Sequence, residues 1–191
     1  MPRLSNAEYL VLGRRIVMLL GSAMQGPLSD RLRELARAYD PGVNEAMVSA
    51  EVFLFNKYLL VQACAGVFPT AEVDYVVGGL VAALNERAGE LELNSERQQA
   101  MEGVWQARAR EFESAFVRDR EYVVGQESVG VAWEHMIDQF CRNVKALDHP
   151  PDIWAGADGP SHLAGHSVTE EFDRMRAALG ELNRTHFNRV E

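Results

Sequence analysis

The chain has 191 residues, 47 % of them hydrophobic and 25 % charged, the composition of an ordinary globular protein long enough to bury a core without disulfide staples. Its net charge is −9, and the excess is uneven: residues 1–68 hold seven Arg/Lys against six Asp/Glu, whereas residues 69–191 hold twelve against twenty-two. An acidic body repels phosphate backbones, and no basic stripe interleaved with aromatics offsets this, so nucleic acid is not an expected partner.

Helical periodicity runs along the chain, with no alternating strand pattern bounded by turns. Ser5-Asn-Ala-Glu8 is a capping-box pattern that opens a first helix, predicted over residues 6–24. Its apolar groups cover most of the circumference and leave an arc of Glu8, Arg14, Arg15 and Ser22, the pattern of a mostly buried helix. Arg14-Arg15 ahead of Ile16–Leu20 superficially matches a twin-arginine leader. The apolar run is short, no A-x-A-like site follows, and Pro27 opens another helix, so a folded helix and a cytoplasmic location are expected. The second helix carries Leu28, Leu32, Leu35, Ala36 and Tyr39 on one stripe and ends at Asp40-Pro-Gly42.

The third helix, predicted over 43–67, is apolar on every side and is expected at the centre of the fold. Glu51, Asn56, Lys57 and Gln62 within it argue against a membrane span. Glu51, Tyr58 and Gln62 fall within an arc of about 40° at 100° per residue. Functionally they make the polar floor of a small-molecule pocket between helices. Structurally they make an internal ion pair, with Arg14 or Arg15 of the first helix as the counter-ion.

In the fourth helix Val73, Val76, Val77, Leu80 and Leu84 form a stripe, and Gly78-Gly79 lie opposite. Two helical glycines cost about 1 kcal/mol each relative to alanine, which makes sense where another backbone comes close. Asn94-Ser95 opens a long fifth helix to about 124, with Met101, Val104, Trp105, Phe112, Ala115, Phe116 and Val123 predicted inward. The sixth carries Val129, Trp133, Met136, Ile137, Phe140, Val144 and Leu147 on one face. Cys64 and Cys141 sit in apolar helical runs, the setting of inert reduced thiols.

A Pro/Gly/His-containing stretch follows, and a last helix is predicted from a second capping box, Ser167-Val-Thr-Glu170. The chain is therefore expected to be all-α: a multi-helix bundle of about seven helices. Its core is predicted at 1–147, with a loop over 148–167 and a C-terminal amphipathic helix over 168–191.

Two patterns bear on function. His162-Leu-Ala-Gly-His166 has the i, i+4 spacing that puts two imidazoles on one helical face, with Asp158 near enough in sequence to add an oxygen ligand for a divalent metal. The pair encloses no glutamate, and Gly165 weakens a helix there, so a solvated loop competes with the metal site. Di-iron carboxylate chemistry needs Glu-x-x-His twice, and the chain has none. No nucleophile elbow, P-loop or dinucleotide fingerprint is present, and no cofactor is expected. The second pattern is the seam Val168, Phe172, Met175, Leu179 and Leu182, typical of a helix laid in a groove or against a copy of itself. The leading expectation is a non-enzymatic module working through a protein partner or as a homodimer. The alternative is a bundle binding a small ligand or a divalent metal, with hydrolytic chemistry at the histidines.

Overall fold

The computed structural model describes residues 2–90, 94–125, 133–145 and 160–187. Among them it holds seven helices and no strand: α1 (Asn6–Ala23), α2 (Pro27–Tyr39), α3 (Glu45–Val67), α4 (Val73–Glu90), α5 (Ser95–Gly125), α6 (Glu134–Lys145) and α7 (Pro160–Phe187). The all-α multi-helix bundle is the fold. No described helix is long and apolar enough to cross a membrane.

Local chemistry sets the helix ends. At α1 the Glu8 carboxylate accepts the Ser5 backbone N–H at 2.8 Å, and the Glu8 N–H reaches Ser5 Oγ at 3.4 Å, a capping box as predicted. Pro27 occupies the first turn of α2, where its missing N–H costs nothing. Asn44 Oδ1 accepts the N–H groups of Ala46 and Met47 at 2.9 and 3.2 Å. That cap starts α3 at Glu45, two residues after the predicted start. Asn94 Oδ1 caps α5 through the Arg97 N–H at 2.9 Å.

The last helix departs from the prediction. It begins at Pro160, so residues 160–167 are helical rather than loop, and the Ser167–Glu170 pattern lies in mid-helix. The proline at the first helical position supplies the start signal. Residues 148–159 lie outside the described set.

The chain divides into two compact units, Met1–Ser22 with Leu59–Trp105 and Phe172–Glu191, and Ala23–Tyr58 with Gln106–Glu171. In the second unit α2 lies against α6. Phe55 of α3 sits edge-on to Phe112 of α5 at 5.4 Å and to Phe140 of α6 at 5.9 Å, and such perpendicular rings pack favourably. Between Glu51 and Leu60 every α3 residue but Phe53 is buried, in keeping with its apolar circumference.

In the first unit α1 crosses α4 at glycines. A Cβ on Gly13 would collide with the Gly79 carbonyl, and a Cβ on Gly79 with the Tyr9 carbonyl, whereas around Gly78 the space is open. Only one of the two predicted close-approach glycines therefore serves that purpose. The crossing is tied by Tyr9, whose hydroxyl donates to the Glu72 carboxylate beside the start of α4. Its ring stacks on Tyr75 at 5.5 Å and lies 6.4 Å from Phe187 of α7. Glu72, itself buried, also accepts the Arg3 backbone N–H at 3.3 Å.

The two neighbouring glycines should behave oppositely on substitution. Gly79→Ala pushes backbone against backbone and should destabilise by about 2–3 kcal/mol. Gly78→Ala meets nothing and should gain up to about 1 kcal/mol of helix propensity. Urea denaturation midpoints of the two variants check this, and equal midpoints would refute the crossing.

Candidate functional site

Glu51 is buried and ion-paired, but with Arg108 of α5: the Arg108 Nε lies 2.8 and 3.1 Å from the two carboxylate oxygens. The arginines of α1 are engaged otherwise or exposed. Arg14 holds Glu86 of α4 at 2.9 Å, and Arg15 is exposed. Arg108 also reaches Glu111 at 2.9 Å through Nη1. Burial raises the Glu51 carboxyl above the usual range, against the opposing pull of Arg108. The second member of the predicted pocket floor, Tyr58, donates to Glu113 at 2.6 Å. Gln62, half-buried, belongs to the first unit whereas Glu51 and Tyr58 belong to the second. The residues brought together at Glu51 are thus protein groups satisfying one another.

Of the predicted metal ligands, His162 and His166 share α7 and His166 is exposed, while Asp158 lies outside the described residues. Among the described residues no group of three His, Cys, Asp or Glu side chains comes together to hold a metal. In the seam of α7, Val168, Met175 and Leu179 are buried and Phe172 and Leu182 half-buried. The chain's own packing covers Val168, Met175 and Leu179. Cys64 and Cys141 are free and buried, and burial pushes both thiols up to about 12.

Sequence reasoning missed Asp119. Buried on α5, it accepts the N–H groups of His135 and Met136 at 2.9 and 3.1 Å and meets His135 Nδ1 at 2.9 Å. It thereby caps α6. Trp133, just before this cap, has φ 84°, a conformation bulky side chains rarely adopt. It is held by an Nε1–H bond to Thr169 Oγ1 at 3.1 Å and by Phe116 at 5.6 Å. A signal for Asp119 was present: it lies in register with the buried stripe of Phe112 and Ala115.

Two open features lie in the first unit. A groove of about 360 Å³ is lined by Leu4, Ala7, Glu8 and Val11 from the start of the chain and by Thr185 and His186 of α7. Along α1 the groove leads to Met18, 74 % exposed, two turns beyond Val11, 44 % exposed. Arg15 lies between them, exposed. A second open face begins α5: from Asn94 to Val104 every residue except Gln98 is exposed. Met101 and Val104, predicted inward, are 53 % and 49 % exposed. The inward stripe of α5 starts further on, with Phe112 and Ala115 buried. The chain matches no protein family, no curated protein and no solved structure.

Two predictions follow from the buried polar groups. Arg108→Ala strands the Glu51 carboxylate and should cost about 3 kcal/mol, whereas Glu51→Gln, which removes the buried charge itself, should cost clearly less. Thermal unfolding of both variants measures the order, and a milder Arg108→Ala refutes it. Tyr9 is raised from 10.0 to about 12 by burial and by Glu72. Its neutral phenol therefore stabilises the fold fully below pH 10, and this contribution drains away as pH rises towards 12. Tyr9→Phe should lose less stability than the parent across that alkaline window, as read by urea midpoints at stepped pH.

Proposed function

We propose that this chain is a non-enzymatic, cytoplasmic helical module that acts through protein contact. The reading is carried by the two open apolar faces, Val11 with Met18 on α1 and Met101 with Val104 on α5, which the chain's own packing leaves uncovered. Apolar faces on helices are what partner helices dock on, through anchors spaced by whole turns. The groove beside Val11, about 360 Å³, lies at the small end of the range for ligand sites and suits one anchoring side chain of a partner. Two free thiols suit a reducing compartment.

Methionine oxidation provides the test, because Met18 and Met101 report on the two faces and Met47, 41 % exposed, lies on neither. In a concentrated extract of cells expressing the protein, peroxide should oxidise Met18 and Met101 more slowly, relative to Met47, than in dilute purified protein. Unchanged ratios at both positions overturn the reading.

A further inference from the structure

We infer that His135 is an acyl-acceptor site. Asp119 sets its imidazole as a nucleophile for a small, uncharged, activated acyl donor such as an ester, thioester or anhydride.

Three observations meet at the start of α6, all within the second unit. The first is orientation. The Asp119 carboxylate is fixed by the backbone, accepting the N–H groups of His135 and Met136 at 2.9 and 3.1 Å. The oxygen that takes the His135 N–H also lies 2.9 Å from His135 Nδ1. A carboxylate only accepts, so in the neutral ring Nδ1 carries the proton and Nε2 keeps its lone pair. A carboxylate behind an imidazole selects this tautomer and raises the basicity of the far nitrogen. The second observation is access. Asp119 is buried, whereas the His135 side chain is 36 % exposed, so a reagent reaches the ring without displacing its orienting partner.

The third is strain. Trp133, two residues before His135, has φ 84° and is held there by Thr169 and Phe116. Strained conformations persist only where the surroundings over-determine them, and they cluster at functional sites. Here the strained residue leads directly into the turn that delivers His135 to Asp119.

Charge selects the donor. Asp119 touches the ring, Glu134 precedes it and Asp138 lies one helical turn on, whereas Arg142 stands two turns away. These surroundings disfavour an anionic donor such as a phosphoryl compound. In the reaction the Nε2 lone pair attacks the carbonyl carbon and forms the N–C bond. The bond from that carbon to the leaving oxygen or sulfur breaks, and the leaving group departs with the electron pair. The Nδ1 proton passes to Asp119 and on to the leaving group through water, which leaves a neutral acylimidazole. Uptake is one acyl group per chain, so the site lies beyond the contact reading above and stands or falls independently of it.

Diethyl pyrocarbonate, an uncharged activated acyl donor, provides the test on the full-length protein at about pH 8. His166 is exposed and has no carboxylate on its ring among the described residues, so exposure alone makes it the faster of the two. Orientation by Asp119 reverses that order. Peptide mass mapping over time should show His135 modified roughly tenfold faster than His166, and equal or slower reaction at His135 overturns the inference. Nitrogen-15 NMR of the imidazoles should show His135 protonated at Nδ1, and an Nε2–H tautomer overturns it as well. Asp119 is a positioning residue, and Asp119→Asn should slow His135 about tenfold while leaving the His166 rate unchanged. An unchanged His135 rate in a variant that keeps its helices by circular dichroism refutes that role. If this variant does not fold, the wild-type rates and the tautomer decide.

Discussion

The first unit depends on one steric fact: α1 and α4 touch through main chain. Gly79 lies under the Tyr9 carbonyl and Gly13 under the Gly79 carbonyl, with no room for a Cβ on either. At that distance Tyr9 is drawn into the interior, where a hydroxyl needs a partner. Glu72 supplies it. The carboxylate in turn sits against the first turn of α4, where a helix accepts negative charge best, and it takes the Arg3 N–H at 3.3 Å. Tyr75 and Phe187 then close over the ring. A missing side chain thus decides where α1, α4 and the end of α7 meet.

In the second unit polar groups play the corresponding part. Ser29 Oγ donates to the Ala23 carbonyl at 2.7 Å and accepts from Asn56 Nδ2 at 3.1 Å, which fixes α2 against α3. Arg108 binds Glu51 on one side and Glu111 on the other, and Asp119 pins the start of α6. Each of these contacts has a single geometry. An apolar stripe tolerates sliding by a turn, whereas a buried carboxylate facing two N–H groups does not, so these contacts set the register of the helices.

Most of the elements were legible because their signals are local. Ser5 with Glu8, Pro27, and Asn94 carry their start signals within four residues, and the stripes of α2, α4 and α6 repeat at helical spacing. The glycine pair on α4 announced a close approach, although only the partner backbone shows which of the two makes it. Where the reading failed, the deciding partner was distant in sequence. Glu51 needed an arginine, and nothing local distinguishes Arg108, fifty-seven residues away, from Arg14. Met101 and Val104 have the spacing of a core stripe, and their exposure depends on which helix faces them. The seam of α7 was correctly seen as apolar, but a stripe does not say whether its cover is the same chain or another. The α7 start went wrong for a plainer reason: two start signals lay seven residues apart, and the upstream proline is where the helix begins.

The units are interleaved along the chain, and this bears on how the protein is made. The first unit draws on Met1–Ser22, Leu59–Trp105 and Phe172–Glu191, so its beginning is held by its end. Synthesis delivers the N-terminus first, at about 5–20 residues per second. By that rate α4 follows α1 within several seconds, whereas Phe187 follows on the order of ten seconds or more after α1. Closing contacts across such sequence separations is itself slow. The nascent chain is therefore a natural client for holding chaperones, and an interrupted translation product ending before α7 would leave both units incomplete and ready for proteolysis.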